Sequence, residues 1–224
     1  MAKVFPAGGP RHGETPGPGP ALRLALLGDS SAAGFGAPDH ATALAGQLAT
    51  ALGASLGRAV AWRVAARGGA TARTVTALLP HLTDPDTGRR PDVVVIAVGV
   101  NDTTRLRRPA AFQRDVARLI TALRQVTGTA GDDPVPVLLS GLPPVHRFPV
   151  LPAPARLLFG SHARRLDRRL AAVAAELPAT HHLPVGDIPV DEPGLFAADG
   201  FHPAPPAYRI WGRLLATRAA PLLA

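Results

Sequence analysis

The sequence predicts an α/β fold: a three-layer αβα sandwich around a parallel, five-stranded, flavodoxin-like sheet. Three observations carry that expectation. Short apolar runs, one of them continuously β-branched, alternate with longer segments of helical periodicity. The runs are apolar at both odd and even positions, as strands covered on both faces must be. Glycine and proline punctuate most junctions. With 224 residues, 46% of them hydrophobic and 18% charged, the chain can bury one sizeable core and is short for two.

Residues 1–20 are rich in proline and glycine and read as a disordered leader, which leaves 21–224 as the folded domain. The leader has no apolar stretch of the secretory type, and no run reaches the ~20 apolar residues of a membrane span. A cytoplasmic location is the expectation. Leu22 to Leu27, closed by Gly28, is the first strand, and His40 to Leu56 the first helix. Val60 to Ala66 is the second strand, followed by a helix over Thr71 to Leu82. Asp92 to Val98 is continuous and β-branched, the clearest strand. Ala110 to Val126 is the clearest helix, with Phe112, Val116, Leu119, Ile120 and Leu123 on one face. Val135 to Leu139 is a fourth strand, and Leu142 to Pro154 is too broken by proline for regular structure. A helix with Leu166, Leu170, Val173 and Leu177 on one stripe follows, then a short strand at His182 to Val185 and a last helix from about Pro205.

Ligands of such sheets bind beyond the carboxyl ends of the strands, so reactive residues should come just after strands. Gly28-Asp29-Ser30 does, although the same tripeptide also serves as an ordinary turn and helix cap. Asp199-Gly200-Phe201-His202-Pro203 precedes the last helix. A carboxylate three residues from an imidazole can fix its tautomer and stabilise the imidazolium formed when a serine is deprotonated, or it can be a plain loop acid. Gly99-Val100-Asn101-Asp102 follows the strongest strand. Its asparagine amide can donate to a developing oxyanion, or close the strand with an Asx-turn. Arg67-Gly68-Gly69-Ala70-Thr71 offers a backbone N–H free of a side chain, or simply a turn.

Each element is weak alone; serine, glycine, asparagine and histidine in that order, each on a strand-end loop, are together specific. Over most of the chain after Ala21 the sequence resembles the SGNH, or GDSL-type, hydrolases. The matching blocks are Gly28 to Gly34 (GDSxxxG), Gly69-Ala70-Thr71, Gly99 to Asp102 and Asp199 to Pro203. The resemblance implies Ser30 as nucleophile, His202 as general base and Asp199 as its orienting acid. It implies an oxyanion hole made by the N–H groups of Ser30 and Gly69 with the Asn101 side chain. It also implies a small-molecule ester substrate, hydrolysis through an acyl-serine, and no metal or organic cofactor. Acyl transfer or thioester cleavage on the same triad is an alternative. Two departures stand out. The family often carries an asparagine just before the second block, where this chain has Ala65 and Ala66, and the adjacent Gly68 leaves the glycine assignment open by one residue.

From another class, a non-catalytic flavodoxin-like module binding phosphate or flavin would want a P-loop lysine, which the first turn lacks. The absence of cysteine excludes a thiolate metal site, a disulfide framework and a cysteine nucleophile. The net charge is +8, and all but one of the basic residues are arginine. They are scattered, and aromatics are only 4%, too few for base stacking, so no nucleic acid is expected. His181-His182 reads as a surface pair with no further ligand at metal spacing, and Asp191-Glu192 as an exposed loop. Asp29 and Asp102 are expected to bond local backbone, Asp102 also being a remote alternative partner for His202. The segment 141–159 combines prolines with apolar side chains. It is read either as a stiff wall beside an acyl pocket, with Leu142 and Phe148 touching substrate, or as a connection packed on the core. A wall of that kind suits small or short-chain acyl groups.

Overall fold

The computed structural model describes residues 2–84, 87–128 and 134–224. Its strands are β1 (His12–Thr15), β2 (Leu22–Gly28), β3 (Val60–Ala66), β4 (Val93–Ala97), β5 (Val137–Ser140) and β6 (Thr180–Leu183). Its helices are α1 (Leu44–Leu56), α2 (Val100–Thr104), α3 (Pro109–Thr127), α4 (Ala153–Glu176) and α5 (Pro205–Leu223), with 3₁₀ turns at Val75–Leu82 and Val145–Arg147. The strands form one sheet in the order β1-β3-β2-β4-β5-β6. All neighbours from β3 to β6 run parallel. Helices α1 and α5 cover one face, and the first 3₁₀ turn, α3 and α4 cover the other. The central strands β2 and β4 are therefore buried on both faces, which is what their apolar runs, broken in β2 only by Arg23 at its start, require.

The sheet has six strands, not five, and is not wholly parallel. The extra strand comes from the segment expected to be a disordered leader, of which Met1 lies outside the described residues. His12–Thr15 pairs antiparallel with β3, from His12 opposite Arg63 to Thr15 opposite Val60. Its burial alternates, with Gly13 and Thr15 turned inward. The Trp62 ring packs against Gly13, and Thr15 Oγ1 accepts the Val60 N–H at 3.1 Å. Few residues are needed because an edge strand gains hydrogen bonds from one neighbour only and sits beside a large apolar ring.

Other differences lie at element ends. Helix α1 begins at Leu44, four residues later than the periodicity suggests. The 71–82 segment is a 3₁₀ turn from Val75 because Pro80 has no N–H to give an α-helical ladder. Helix α4 starts at Ala153, inside the segment read as irregular; Pro152 is its N-cap and Pro154 sits in its first turn, where proline is tolerated. The four arginines Arg164, Arg165, Arg168 and Arg169 face outward from α4, as its apolar stripe predicts. Among the described residues no helix is long and apolar enough to cross a membrane.

With β1 set aside, the order β3-β2-β4-β5-β6 winds outward in both directions from β2, which places the switch point between β2 and β4. Gly28 and Ala97 end these two strands side by side. A Cβ on Gly28 would lie 2.4 Å from the Ala97 carbonyl oxygen, so only glycine lets the chains leave the sheet this close together.

Removing residues 2–16 should lower the unfolding free energy by about 1–4 kcal/mol, at roughly 0.2–1 per cross-strand pair, and red-shift the fluorescence of the uncovered Trp62. Denaturant titration with tryptophan emission checks this; an unchanged midpoint would mean that β1 adds nothing to the fold.

Candidate active site

Four loops meet at the carboxyl edge of the sheet. The loop after β2 turns sharply through Asp29 and Ser30. It is held by Asp29 N–H to the Ala97 carbonyl at 3.2 Å and by Phe35 N–H to the Ser30 carbonyl at 3.0 Å. No helix begins directly behind Ser30; a run of turns precedes α1. The two neighbouring serines differ in what their hydroxyls do. Ser31 donates Oγ–H to Asp29 Oδ1 at 2.6 Å, whereas Ser30 Oγ stands 3.0 Å from His202 Nε2.

His202 Nδ1 lies 2.6 Å from Asp199 Oδ2. The other Asp199 oxygen accepts the N–H groups of Phe201 and His202, each at 2.9 Å. Burial alone would raise this carboxyl. The bonds from the imidazole and the two amides outweigh burial and hold it below the ordinary aspartate range. An ionised acceptor on Nδ1 leaves Nε2 bare toward Ser30. The imidazole is packed between two rings, stacked on Phe35 at 5.1 Å between centroids and edge-on to Phe201 at 5.3 Å. Phe35 is itself anchored, its carbonyl accepting the Tyr208 hydroxyl at 2.7 Å.

The loop after β3 brings Gly69 to the same edge with φ +74°, a left-handed conformation suited to glycine. Among the described residues the N–H groups of Ser30, Gly68 and Gly69 donate to no protein acceptor. Asn101 opens the second residue of α2 and gives one side-chain N–H to the Ala70 carbonyl at 3.0 Å; its Nδ2 also lies 3.5 Å from Asp29 Oδ2. An amide nitrogen has two hydrogens; one is held by Ala70, and the other makes only the long 3.5 Å contact to Asp29, the weaker of the two bonds. Three N–H donors and a hydroxyl poised on an imidazole are what acyl transfer to serine requires.

Sequence reasoning assigned two buried acids only in part. Asp29 bonds local backbone, accepting the Ser31 N–H at 3.0 Å. Burial pushes its carboxyl up to about 6, against the Ser31 bonds and the pull of His202; nearby Asp102 adds to the rise. Asp102 does not reach His202, and its main partner is not local. It accepts the Ala72 N–H at 3.0 Å across 30 residues of chain, tying the β4 loop to the β3 loop, and burial raises it too. His182 has a partner that spacing alone could not reveal, Asp167 of α4 at 2.9 Å. Asp191 and Glu192 are exposed, as expected.

A cavity of about 50 Å³ opens from Ser30 and His202, walled by Phe148, Ile188, Val190, Leu195, Phe196 and Trp211. Phe148 lies on it, edge-on to Phe196 and Phe201. Leu142 does not. It is buried in the core behind Gly99, with Cδ1 3.1 Å from where a Gly99 Cβ would stand, because the strand-end alternation turns it inward. The walls at Ile188, Val190, Leu195 and Phe196 were missed. Their signal was four apolar residues in a stretch otherwise read as a polar loop.

The family model for the GDSL-like lipase/acylhydrolase family matches residues 26–210. The chain belongs to that family. A curated GDSL-like esterase of Mycobacterium tuberculosis, Rv1075c, is 29% identical over 199 residues, covering 87% of this chain; the chain spans 60% of that relative's length. The crystal structure of TesA is similar at TM-score 0.65 and 27% identity, covering 89% of this chain and 99% of that one. A lipase/acylhydrolase from Enterococcus faecalis shares the fold at TM-score 0.64 and 21% identity, covering 89% and 96%.

Asp29 has a consequence for stability. Its folded value, about 6, lies above its ordinary 3.8. The protein is thus most favoured by this group below ~pH 4 and loses up to about 3 kcal/mol as pH climbs to the folded value. Asp29→Asn keeps an oxygen for Ser31, so it should be more stable than the parent at pH 8, by about 1–3 kcal/mol, and indistinguishable near pH 4. Urea unfolding at both pH values checks the sign; a variant less stable at pH 8 would contradict the cost of the buried charge.

Proposed function

We propose that this chain is a serine esterase that hydrolyses carboxylic esters of small or short-chain acyl groups through an acyl-Ser30 intermediate. The observation that carries the reading is the Asp199–His202–Ser30 relay, 2.6 and 3.0 Å, beside unpaired N–H donors. His202 Nε2 takes the Ser30 proton as Oγ bonds to the acyl carbon. The carbonyl oxygen becomes an oxyanion facing the N–H of Ser30, the N–H of Gly69 and the Asn101 N–H that exchanges its long contact with Asp29 for the oxyanion. Collapse breaks the ester C–O bond, and His202 gives its proton to the leaving alcohol. Water then enters, loses a proton to His202, attacks the acyl carbon and restores Ser30 as the acid departs. Asp199 keeps the imidazole in the tautomer that performs both transfers and stabilises the imidazolium between them.

Acyl size follows from the cavity. About 50 Å³ holds on the order of four water-sized groups, at roughly 10–15 Å³ each. The apolar wall favours alkyl over polar acyl groups. Thioesters would be cleaved by the same steps.

Ser30→Ala should abolish turnover of a chromogenic acetyl ester to within the roughly 10³–10⁴-fold residual effect of the remaining site. A phosphonate inhibitor should label Ser30 and leave Ser31 untouched, since only the Ser30 hydroxyl faces the imidazole. Peptide mapping showing the label on Ser31, or a Ser30→Ala protein of near-parent rate, would end this assignment.

Along a series of p-nitrophenyl esters, kcat/KM should peak at short acyl chains and fall steeply beyond about four carbons, the cavity's capacity. Phe148→Ala should move the peak to longer chains. Fastest turnover of long-chain esters by the parent protein would show that the acyl group lies elsewhere.

A further inference from the structure

The rim around Ser30 is uneven in charge. On the β5 and β6 side acids and bases meet: exposed Arg147 pairs with exposed Asp191 at 3.1 Å, and half-buried Arg218 with exposed Asp187 at 2.9 Å. On the β3 and β4 side, residues 67–74 and 98–108 carry five arginines: Arg107 pairs with Asp115 at 2.6 Å, while Arg67, Arg73, Arg105 and Arg108 are exposed and in no ion pair among the described residues. The single acid of these two loops, Asp102, is buried and spent on the Ala72 N–H.

Two of these arginines are tied to the reacting centre. Asn101 and Arg105 stand one helical turn apart at the two ends of α2 and so share a face. They grip successive carbonyls of the opposite loop: Asn101 Nδ2 donates to Ala70 O at 3.0 Å and Arg105 Nη2 to Gly69 O at 3.2 Å. The Arg105 guanidinium is thereby fixed against the residue whose N–H faces the oxyanion, with further N–H donors uncommitted. Arg67 begins the same loop, its N–H bonded to the Gly28 carbonyl at 3.2 Å, two residues before Ser30. A left-handed Leu106 (φ 52°) follows Arg105 and ends α2 there. The apolar cavity beside Ser30 is lined by none of these arginines; of their two loops only Val100 reaches it.

We propose that Arg67 and Arg105 form a cationic subsite for an anionic group, carboxylate or phosphate, borne by the alcohol or thiol part of the substrate. The proposal rests on the esterase reading: the acyl part fills the apolar cavity, and the leaving group extends across Ser30 toward the β3 and β4 loops. Planar guanidinium forks suit both anions, and an excess of exposed positive charge over exposed acid also steers such a substrate inward. Exposed charges contribute modestly, so two arginines should give a preference of about 3–10-fold.

The test compares acetyl esters of 4-hydroxybenzamide, 4-hydroxybenzoate and 4-hydroxyphenyl phosphate. In the parent protein at low salt, kcat/KM for one or both charged esters should exceed the neutral one by about 3–10-fold. The ratio should shrink toward one at about 0.5 M salt, where charges are screened within a few ångströms. Arg67→Gln and Arg105→Gln should each lower the ratio, and the charged ester with the larger ratio identifies the anion. If Arg105 served only to hold Gly69, its loss would slow all three esters equally and leave the ratio unmoved, which would overturn the proposal. A parent ratio at or below one would do the same. Failure to hydrolyse any of the three esters would instead count against the esterase reading.

Discussion

The pairing of β2 with β4 is the constraint on which the site depends. Parallel neighbours stand about 4.8 Å apart, and here they end level, with Gly28 opposite Ala97. The Asp29 N–H continues the ladder past the strand ends to the Ala97 carbonyl. The loops carrying Ser30 and Asn101 therefore leave the sheet from adjacent strands at a separation set by the backbone. Because chain connections run outward in opposite directions from this pair, nothing crosses above it, and a crevice results. Any side chain at position 28 would strike the Ala97 oxygen and push the two loops apart.

Polar groups lace the crevice at a cost. Asp29 and Asp102 are both almost fully buried, and each is pushed upward by loss of water. Each in return fixes a loop: Asp29 the serine turn through Ser31, Asp102 the glycine loop through Ala72. Asn101 sits between them, bonded to Ala70 and close to Asp29. Strain of this sort is common at reaction centres, where polar groups are arranged for a charge that is absent in the resting protein. The imidazole benefits as well. Asp199 touches it directly, and Asp29 acts on it through space, so the imidazolium formed on deprotonating Ser30 has two carboxylates within its field.

Much of the fold and the site was legible because their signals are local. Short apolar runs fix β2, β3 and β4 within a residue or so, β4 being continuously β-branched, and Gly28-Asp29-Ser30, Asn101 and Asp199 to His202 lie within a few residues of an element end. What escaped is long-range or low in contrast. Strand β1 hides in a proline- and glycine-rich segment because an edge strand needs only a neighbour, here β3 and the Trp62 ring. Asp102 to Ala72, Asp167 to His182 and the aromatic sandwich around His202 join residues that only the fold brings together. Leu142 failed for another reason. Residues just past a strand still alternate between faces, and apolar character does not tell which face is the pocket and which the core.

The two sides of Ser30 are drawn from separate stretches of chain. The apolar cavity is built mostly from residues 143–211, with the serine turn and Val100 completing it, and the arginine-bearing rim from residues 67–108. They share only the reacting residues and the loops that hold them. Substitutions far apart with no common partner tend to act independently, so acyl size and leaving-group charge are separable properties of this scaffold. The separation has a physical origin in the sheet. Strands β3 and β4 flank β2 on either side of the serine turn, while β5 and β6 lie further out under α5 and the 185–196 loop. Burial by α5 and that loop gives one side its dryness, and the thin loops over β3 and β4 leave the other side open to water, where only charge can add selectivity.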